Sequence, residues 1–234
     1  MKITISWVKA LLAMQFVLAS NGSATAQGTF ENLNFESARI IFDDPPYYKS
    51  IATTNALPDW SAFSGTTQLT NIPYGPGGTS FSVILYSRTN GGSLSGYCSV
   101  LLSFNSTMPQ PSNTLGSITQ TGLVPVGSKS LLFEVGGGIV YGSPLTVSLG
   151  GQDLSFIAIS NALNYTLYGA DISSFAGQTE TLTFTANLNV GYPGAELDNI
   201  QFSAVVVPEP STISLICLGS GVLFYVRQRK RFRL

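Results

Sequence analysis

The sequence predicts an all-β fold, a two-sheet antiparallel β-sandwich, between two terminal segments that lie outside it. About ten short runs of apolar or alternating residues are separated by Gly, Pro, Asn and Ser, as in domains built from many short strands. No segment between the two ends shows the 3.6-residue periodicity of an amphipathic helix. Only 10% of the residues are charged, and 14 Phe and 10 Tyr supply aromatic side chains for a folded core.

The predicted strands follow one another through the region 27–205, which we assign to a single β-sandwich domain. A region of this length can enclose one hydrophobic core. The clearest strand is 179–188, where threonine alternates with Leu182, Phe184 and Ala186. In chain order the predicted strands are 29–35, 80–86, 97–104, 115–121, 130–135, 145–149, 154–160, 163–168, 179–188 and 197–207.

Residues 1–26 have the features of a signal peptide. Lys2 and Lys9 give a positive start, and the stretch 8–20 is mostly apolar. Ala24 and Ala26 are the small residues that a signal peptidase needs before its cleavage site, which predicts cleavage before Gln27. The alternative is an amphipathic first helix of the domain. The cleavage site favours processing and export.

The C-terminal segment 206–234 has three parts in order. Pro208, Glu209 and Pro210 lie in the motif 207–212, where the prolines favour an extended backbone. The apolar run 213–226 predicts one transmembrane helix, although it is short for a hydrocarbon layer of about 30 Å. The basic end 227–234 is expected to stay in the cytoplasm. The alternative interpretation of the whole segment is a plain C-terminal membrane anchor that is never cleaved. The basic residues of this end are Arg227, Arg229, Lys230, Arg231 and Arg233.

This order of Pro-Glu-Pro, apolar helix and arginine-rich end resembles the PEP-CTERM sorting signal. The resemblance implies recognition by an exosortase, an integral-membrane enzyme that cuts near the motif and releases the protein or transfers it to the cell surface. It implies a protein exported through the inner membrane, anchored there transiently, and then located at the cell surface or outside the cell. Glu209 would be a recognition residue of a substrate. Proteins with this tail are typical of Gram-negative bacteria that make exopolysaccharide and biofilm.

The remaining composition excludes several classes of function. Between residues 27 and 204, four basic residues stand against eleven acidic ones, a formal charge of −7, so we expect no nucleic acid as a partner. Histidine is absent, so neither a Ser-His-Asp triad nor a His-ligated zinc site can form. Cys217 lies in the apolar tail and Cys98 in a predicted strand. We therefore expect no disulfide, and a buried, inert Cys98.

Two segments of the central region carry a second pattern. One is Asn-Leu-Asn-Phe-Glu at 32–36, followed after a loop by Trp60, and the other is 167–178 with Leu-Asp-Asn-Ile at 197–200. Together they resemble the galactose-binding-like jelly rolls of exported bacterial proteins. The resemblance implies a jelly roll with neighbouring first and last strands, in which Glu36 and Asp198 would support a structural calcium ion. The alternative is that these carboxylates lie at exposed strand ends.

The residues after the predicted strand 163–168 are interpreted as a loop and turn that lead to the next strand. We expect Asp171 to accept hydrogen bonds from its own backbone neighbours in a turn. Gly177 suits a turn before the next strand because it has no Cβ. Phe175 is expected to close one end of the sandwich.

For the central domain we expect a non-catalytic module that binds polysaccharide. Acid–base catalysis needs two carboxylates that face one cleft at a fixed spacing, and the eleven acids are scattered singly. Two alternatives stay open: a hydrolase of matrix glycans that uses paired carboxylates, and a purely structural matrix protein. Candidate aromatic platforms for sugar rings are Tyr47, Tyr48, Trp60, Tyr74 and Tyr97. Of these, Trp60 is expected to pack in the core.

Overall fold

The computed structural model describes residues 29–43, 49–76, 81–105, 114–137, 145–187 and 194–207, which are built almost entirely from β-strands. The predicted signal peptide 1–26, nearly all of the motif 207–212, the apolar run 213–226 and the basic end 227–234 lie outside these ranges. Within them, no helix has the length and apolar character needed to cross a membrane.

The strands of the described region are short, and helix is nearly absent from it. A four-residue helix, α1 (Thr53–Ala56), and a 3₁₀ turn (Ser173–Phe175) interrupt the strands. In chain order the strands are β1 (Phe42–Asp43), β2 (Ser50–Ala52), β3 (Ser61–Ser64), β4 (Thr67–Gln68), β5 (Asn71–Pro73), β6 (Val83–Ser87), β7 (Cys98–Leu102), β8 (Phe104–Asn105), β9 (Thr114–Leu123), β10 (Ser130–Gly137), β11 (Leu145–Leu149), β12 (Gln152–Asp153), β13 (Phe156–Asn161), β14 (Tyr165–Asp171), β15 (Thr179–Ala186) and β16 (Ala195–Ser203).

Two antiparallel sheets form the sandwich. The six-stranded sheet has the order β13-β14-β10-β16-β7-β6. The seven-stranded sheet has the order β12-β11-β15-β9-β3-β4, with β8 also paired to β9. A small third sheet has the order β1-β2-β5. The predicted two-sheet antiparallel sandwich is confirmed.

Apolar side chains from the inward faces of both sheets form one core. Phe133 of the six-stranded sheet meets Phe184 of the seven-stranded sheet edge to face, with ring centroids 5.4 Å apart. Trp60 is 5% exposed, which confirms its expected place in the core. Along β15, Leu182, Phe184 and Ala186 are buried, whereas the intervening threonines are half-buried or exposed, as the alternating pattern predicts.

Nine of the ten predicted strands overlap strands of the described region, and 145–149 has the predicted bounds. The first prediction, a strand at 29–35, is wrong, because this segment forms turns. Asn32 and Phe35 have φ values of 50° and 57°, which are incompatible with an extended strand. Phe30, Leu33 and Phe35 are nevertheless buried. Their spacing in the sequence is similar to that of the buried residues of a strand.

Candidate functional site

Three acidic side chains are buried on the outer face of the six-stranded sheet. Along β16, Ala195 and Leu197 belong to the core, so Glu196 and Asp198 lie on the opposite face. These two acids are 8% and 1% exposed, and Glu134 of β10, which pairs with Asp198, is 5% exposed. Carboxylates are rarely buried to this degree without a compensating partner. We refer to the three residues Glu134, Glu196 and Asp198 as the carboxylate cluster.

A β-bulge sets the geometry between Glu134 and Asp198. The register of β10 and β16 shifts next to Glu134, and Asn199 has a left-handed backbone with φ of 48°. The Asn199 side-chain amide donates to Glu134 Oε1 at 2.9 Å, and its backbone N–H donates to Asp198 Oδ1 at 2.7 Å. Glu134 Oε2 is buried and accepts no hydrogen bond. This oxygen is therefore a buried acceptor without a donor, which costs free energy.

The segment that joins the β6–β7 loop to β7 binds two carboxylates through the backbone amides of residues 95, 97 and 98. The N–H of Ser95 donates to Asp198 Oδ2 at 2.9 Å. The N–H groups of residues 97 and 98 both donate to Glu36 Oε1, at 2.6 and 2.9 Å. Gly96 lies between these amides with φ of +60°, and a Cβ at this position would lie 2.3 Å from Glu36 Oε1. The close approach of the loop to the carboxylate therefore requires glycine here.

The same loop shields the cluster from solvent. Leu94 is 9% exposed and lies over Gly136 of β10, where a Cβ would come within 2.3 Å of Leu94 Cδ2. The side-chain amide of Asn164 donates to the Leu94 carbonyl at 2.9 Å and fastens the loop to the β13–β14 turn. In β7, the buried Ser99 hydroxyl donates to Glu196 Oε1. The loop is thus held by packing of Leu94 on β10 and by a hydrogen bond from the β13–β14 turn.

The N-terminal turn places Glu36 beside the last strand. The Leu33 carbonyl accepts a hydrogen bond from the Ile200 N–H at 2.9 Å, so the turn lies against β16. Phe35, next to Glu36, is fully buried, and its ring centroid lies 5.9 Å from that of Trp60. Burial of Phe35 therefore anchors the turn and leaves Glu36 on its outer side.

Burial among like charges shifts the protonation equilibria at this site. Burial raises the pKa of Asp198 from 3.8 to about 7, and the neighbouring Glu134 and Glu36 add to the rise against two backbone hydrogen bonds. Burial also raises the pKa of Glu196, and its hydroxyl donor partly offsets the rise. Burial, together with the charges of Glu36 and Asp198, raises the pKa of the Cys98 thiol to about 11. Cys98 is free and 2% exposed, as expected from the sequence.

The structure brings Glu36 and Asp198 to one loop, at residues 95–98. The sequence analysis did not identify Glu134 and Glu196 as site residues. A single acidic residue within an apolar strand could have indicated a buried carboxylate. Among the described residues, no group of three or more His, Cys, Asp or Glu side chains is gathered to hold a metal ion. The predicted processing and sorting residues lie outside the described ranges: Ala24, Ala26, Pro208, Glu209, Pro210, Arg227, Arg229, Lys230, Arg231 and Arg233.

A shallow cleft of about 400 Å³ opens where β12 and the 3₁₀ turn meet. Its lining is mostly polar and consists of Gln152, Asp153, Leu154, Ser155, Asp171, Ser173, Ser174 and Phe175. Asp171 Oδ1 accepts hydrogen bonds from the Ser173 N–H at 2.8 Å and the Ser173 hydroxyl at 2.6 Å, which confirms the predicted turn. These hydrogen bonds lower the pKa of Asp171. Phe175 packs partly buried against the core, as expected.

The aromatic residues proposed as sugar platforms differ in accessibility. Tyr97 is 41% exposed, whereas Trp60 is buried in the core. Tyr74 is half-buried and its hydroxyl lies 2.7 Å from the Ser87 hydroxyl oxygen. Tyr47 and Tyr48 lie outside the described residues.

The fold and this site define a β-sandwich with a shielded carboxylate cluster on one face and a polar cleft beside the 3₁₀ turn. The chain continues from its last described residues into the C-terminal segment. The family model of the PEP-CTERM protein-sorting motif matches residues 206–231, so the chain carries this motif in the segment where its sequence resembles one. The motif supports an exported protein that an exosortase sorts to the cell surface or the extracellular space.

Among solved structures, the chain is similar to the crystal structure of an apo-form cyclase from Fischerella sp. The two chains are 16% identical, and the match covers 76% of this chain and 96% of the cyclase chain with a TM-score of 0.43. This likeness is too distant to bear on fold or function. No match was found among curated proteins.

Proposed function

We propose that the mature protein is a non-catalytic jelly-roll module that is displayed at the cell surface or in the extracellular matrix and binds polysaccharide there. The sorting motif at 206–231 supports surface display. The observation that carries the binding proposal is the open cleft, where hydroxyl, amide and carboxylate groups surround the half-buried ring of Phe175. Polar groups converging beside an apolar surface are the usual features of a small-molecule site, and they suit a sugar.

The finer steps of sorting belong to the same proposal. Signal peptidase cleaves after Ala26, and the apolar run 213–226 then holds the protein transiently in the inner membrane. The basic end 227–234 keeps the C-terminal side of the apolar run in the cytoplasm. Exosortase recognises Pro208, Glu209 and Pro210 and removes the tail.

The burial of the carboxylate cluster supports a structural role for it. In a glycoside hydrolase two carboxyl groups flank the bond that is cleaved. Glu134 and Asp198 are 5% and 1% exposed, so a glycan cannot reach them. One observation favours the hydrolase alternative, since Asp153 and Asp171 line the same open cleft. However, the lowered pKa of Asp171 is opposite to what a general acid needs.

A structural calcium ion is the second component of the proposal. Calcium takes six to eight oxygen ligands, which include carboxylates and backbone carbonyls. Buried carboxylate oxygens fit this chemistry, and Glu134 Oε2 has no hydrogen-bond partner. Asp198 and Glu36 would hold the ion, and their carboxylates already meet at the loop 95–98. When bound, the ion supplies the positive charge that stabilises the ionised cluster.

A glycan array of the domain 27–207 tests the binding proposal, followed by titration with any glycan it identifies. We expect Asp153→Ala to weaken binding at least about tenfold, because a hydrogen bond to a charged group contributes about 1.5–3 kcal/mol. Thr146→Ala is the matched control, since Thr146 is exposed on the same sheet outside the cleft. Binding that is equal in both variants would place the ligand elsewhere. No bound glycan would favour a structural matrix protein, and cleaved products would favour a hydrolase.

Thermal unfolding in chelator and in millimolar calcium tests the metal component. A ligand that binds only the folded state at 100 times its Kd stabilises it by about 2.7 kcal/mol. We expect calcium to raise the Tm of the wild type, and Asp198→Asn to lose this response because it removes a buried carboxylate that would bind the ion. An unchanged Tm of the wild type would refute the calcium site and leave the glycan proposal intact.

A further inference from the structure

The last described residues are fixed to the outer face of the six-stranded sheet. Beyond β16, the Val205 carbonyl accepts a hydrogen bond from the Ser130 hydroxyl at 2.7 Å. Val207 is 7% exposed and lies over Gly169 of β14. A Cβ on Gly169 would come within 2.7 Å of Val207 Cγ2 and 2.6 Å of Ile159 Cδ1. The absent side chain therefore makes room for Val207, and the chain reaches Pro208 directly from a docked residue.

Exposed apolar side chains lie on β13, on the β13–β14 turn and on the segment that leads to this exit point. Ile159 is 45% exposed, Leu163 is fully exposed, and Val205 and Val206 are 73% and 52% exposed. We refer to these four residues as the exit patch. Neither 154–170 nor 202–207 contains an Asp, Glu, Lys or Arg residue. The patch includes part of β13, an edge strand of the six-stranded sheet. Charged side chains usually prevent an edge strand from pairing with another chain. An edge that lacks them and carries exposed apolar side chains is a candidate contact surface.

The length of chain beyond Val207 brings this surface close to the membrane. Five residues, 208–212, separate Val207 from the start of the apolar run at Ile213. Six Cα-to-Cα steps span at most about 22 Å, since an extended chain covers at most about 3.6 Å per residue. If the run 213–226 is inserted in the bilayer, the docked Val207 cannot be farther than this from the lipid surface.

We propose that the exit patch rests on the lipid surface of the inner membrane while the C-terminal tail is attached. This inference relies on the membrane insertion of 213–226 under the proposed function. Four exposed apolar side chains bind lipid weakly, and a domain with a formal charge of −7 is repelled by anionic lipids. The short tether raises the effective lipid concentration enough for such a weak contact to form. Removal of the tail then releases the domain, because the exit patch alone binds lipid too weakly.

Quenching of tryptophan by brominated lipid tests this contact directly. The chain from Gln27 to Leu234 contains Trp60, which is 5% exposed, and no second tryptophan. We compare Leu163→Trp with Thr146→Trp, whose site is exposed on the seven-stranded sheet. Both chains are reconstituted in vesicles of phosphatidylethanolamine and phosphatidylglycerol, with and without brominated acyl chains. We expect about twofold quenching of the added tryptophan at 163 and little at 146, because a tryptophan at a lipid interface lies within reach of the acyl chains.

The outcomes separate the two proposals. Equal quenching at both positions in vesicle-bound protein would overturn the lipid contact while leaving the membrane tail in place. Protein that does not co-float with vesicles would refute tail insertion, and the lipid contact with it. Weak quenching at 163 that is accompanied by concentration-dependent dimerisation would assign the exit patch to a second copy of the chain, and would also overturn the proposal.

Discussion

Glu134 and Asp198 are paired across neighbouring strands on the outer face of the sheet, and Asn199 donates one hydrogen bond to each. Both carboxylates are almost completely buried, and no donor reaches Glu134 Oε2. Burial beside a second carboxylate disfavours the ionised form of Asp198 when no cation is bound. The stability of the domain should therefore depend on the protonation and the cation occupancy of this one site.

The pH dependence of unfolding is the first prediction. Burial raises the pKa of Asp198 to about 7 in the folded state, above its ordinary value of 3.8. Between these values the folded state binds a proton that the unfolded state releases, so in chelator the free energy of unfolding decreases as pH rises. One such group contributes a slope of about 1.4 kcal/mol per pH unit. Urea unfolding of the wild type between pH 4 and 8 measures this slope.

Asp198→Asn is the control for this slope, because asparagine does not titrate. The variant should lack the part of the pH dependence that is due to residue 198, and calcium should reduce the same part in the wild type. Identical pH profiles of the wild type and the variant would show that Asp198 ionises normally in the folded protein.

The second prediction concerns the thiol of Cys98. This side chain is 2% exposed, and burial together with Glu36 and Asp198 raises its pKa to about 11. Because the thiolate is the reactive species, Cys98 should resist alkylation at pH 8 in the folded domain 27–207 and react fully in denaturant. Mass spectrometry of the alkylated protein measures both states. Complete modification under native conditions would show that the core around Cys98 opens readily.

The third prediction compares two neighbouring valines. Val207→Ala removes a side chain that is 7% exposed and should lower the free energy of unfolding by about 1–2 kcal/mol. Val206→Ala is the matched control, since Val206 is 52% exposed and its truncation should have almost no effect. Chemical unfolding of the domain 27–207 measures both. Equal stabilities would show that Val207 is not docked in solution.

The sequence predicted the sandwich because alternation is a local signal. Strands such as β11 and β15 carry their own periodicity, and their positions follow from it. Strands of two to four residues, including β1 to β5 and β12, are too short to show a period and were missed. The segment 29–35 was misassigned, because burial of Phe30, Leu33 and Phe35 resembles alternation when the turns between them cannot be seen.

The candidate site was predictable only in part, because it is assembled by long-range contacts. A resemblance in the local motifs indicated Glu36 and Asp198, and the structure does bring them to one loop. Glu134 and Glu196 were missed because their burial depends on a bulge at Asn199 and on Leu94 folding over the sheet. The cleft around Asp153 and Asp171 joins two segments that no local pattern connects.

We expect the C-terminal motif to direct processing of the exported protein, and the mass of the protein found outside the cell measures this processing. In a host with the sorting enzyme, the extracellular wild type should lack both the signal peptide and the tail. Glu209→Ala should remain in the membrane fraction with its tail intact, because it removes the carboxylate between Pro208 and Pro210 but changes neither the apolar run nor the basic end. Ser211→Ala, a control in the same motif, should be processed like the wild type. Equal removal of the tail from the wild type and Glu209→Ala would contradict this expectation.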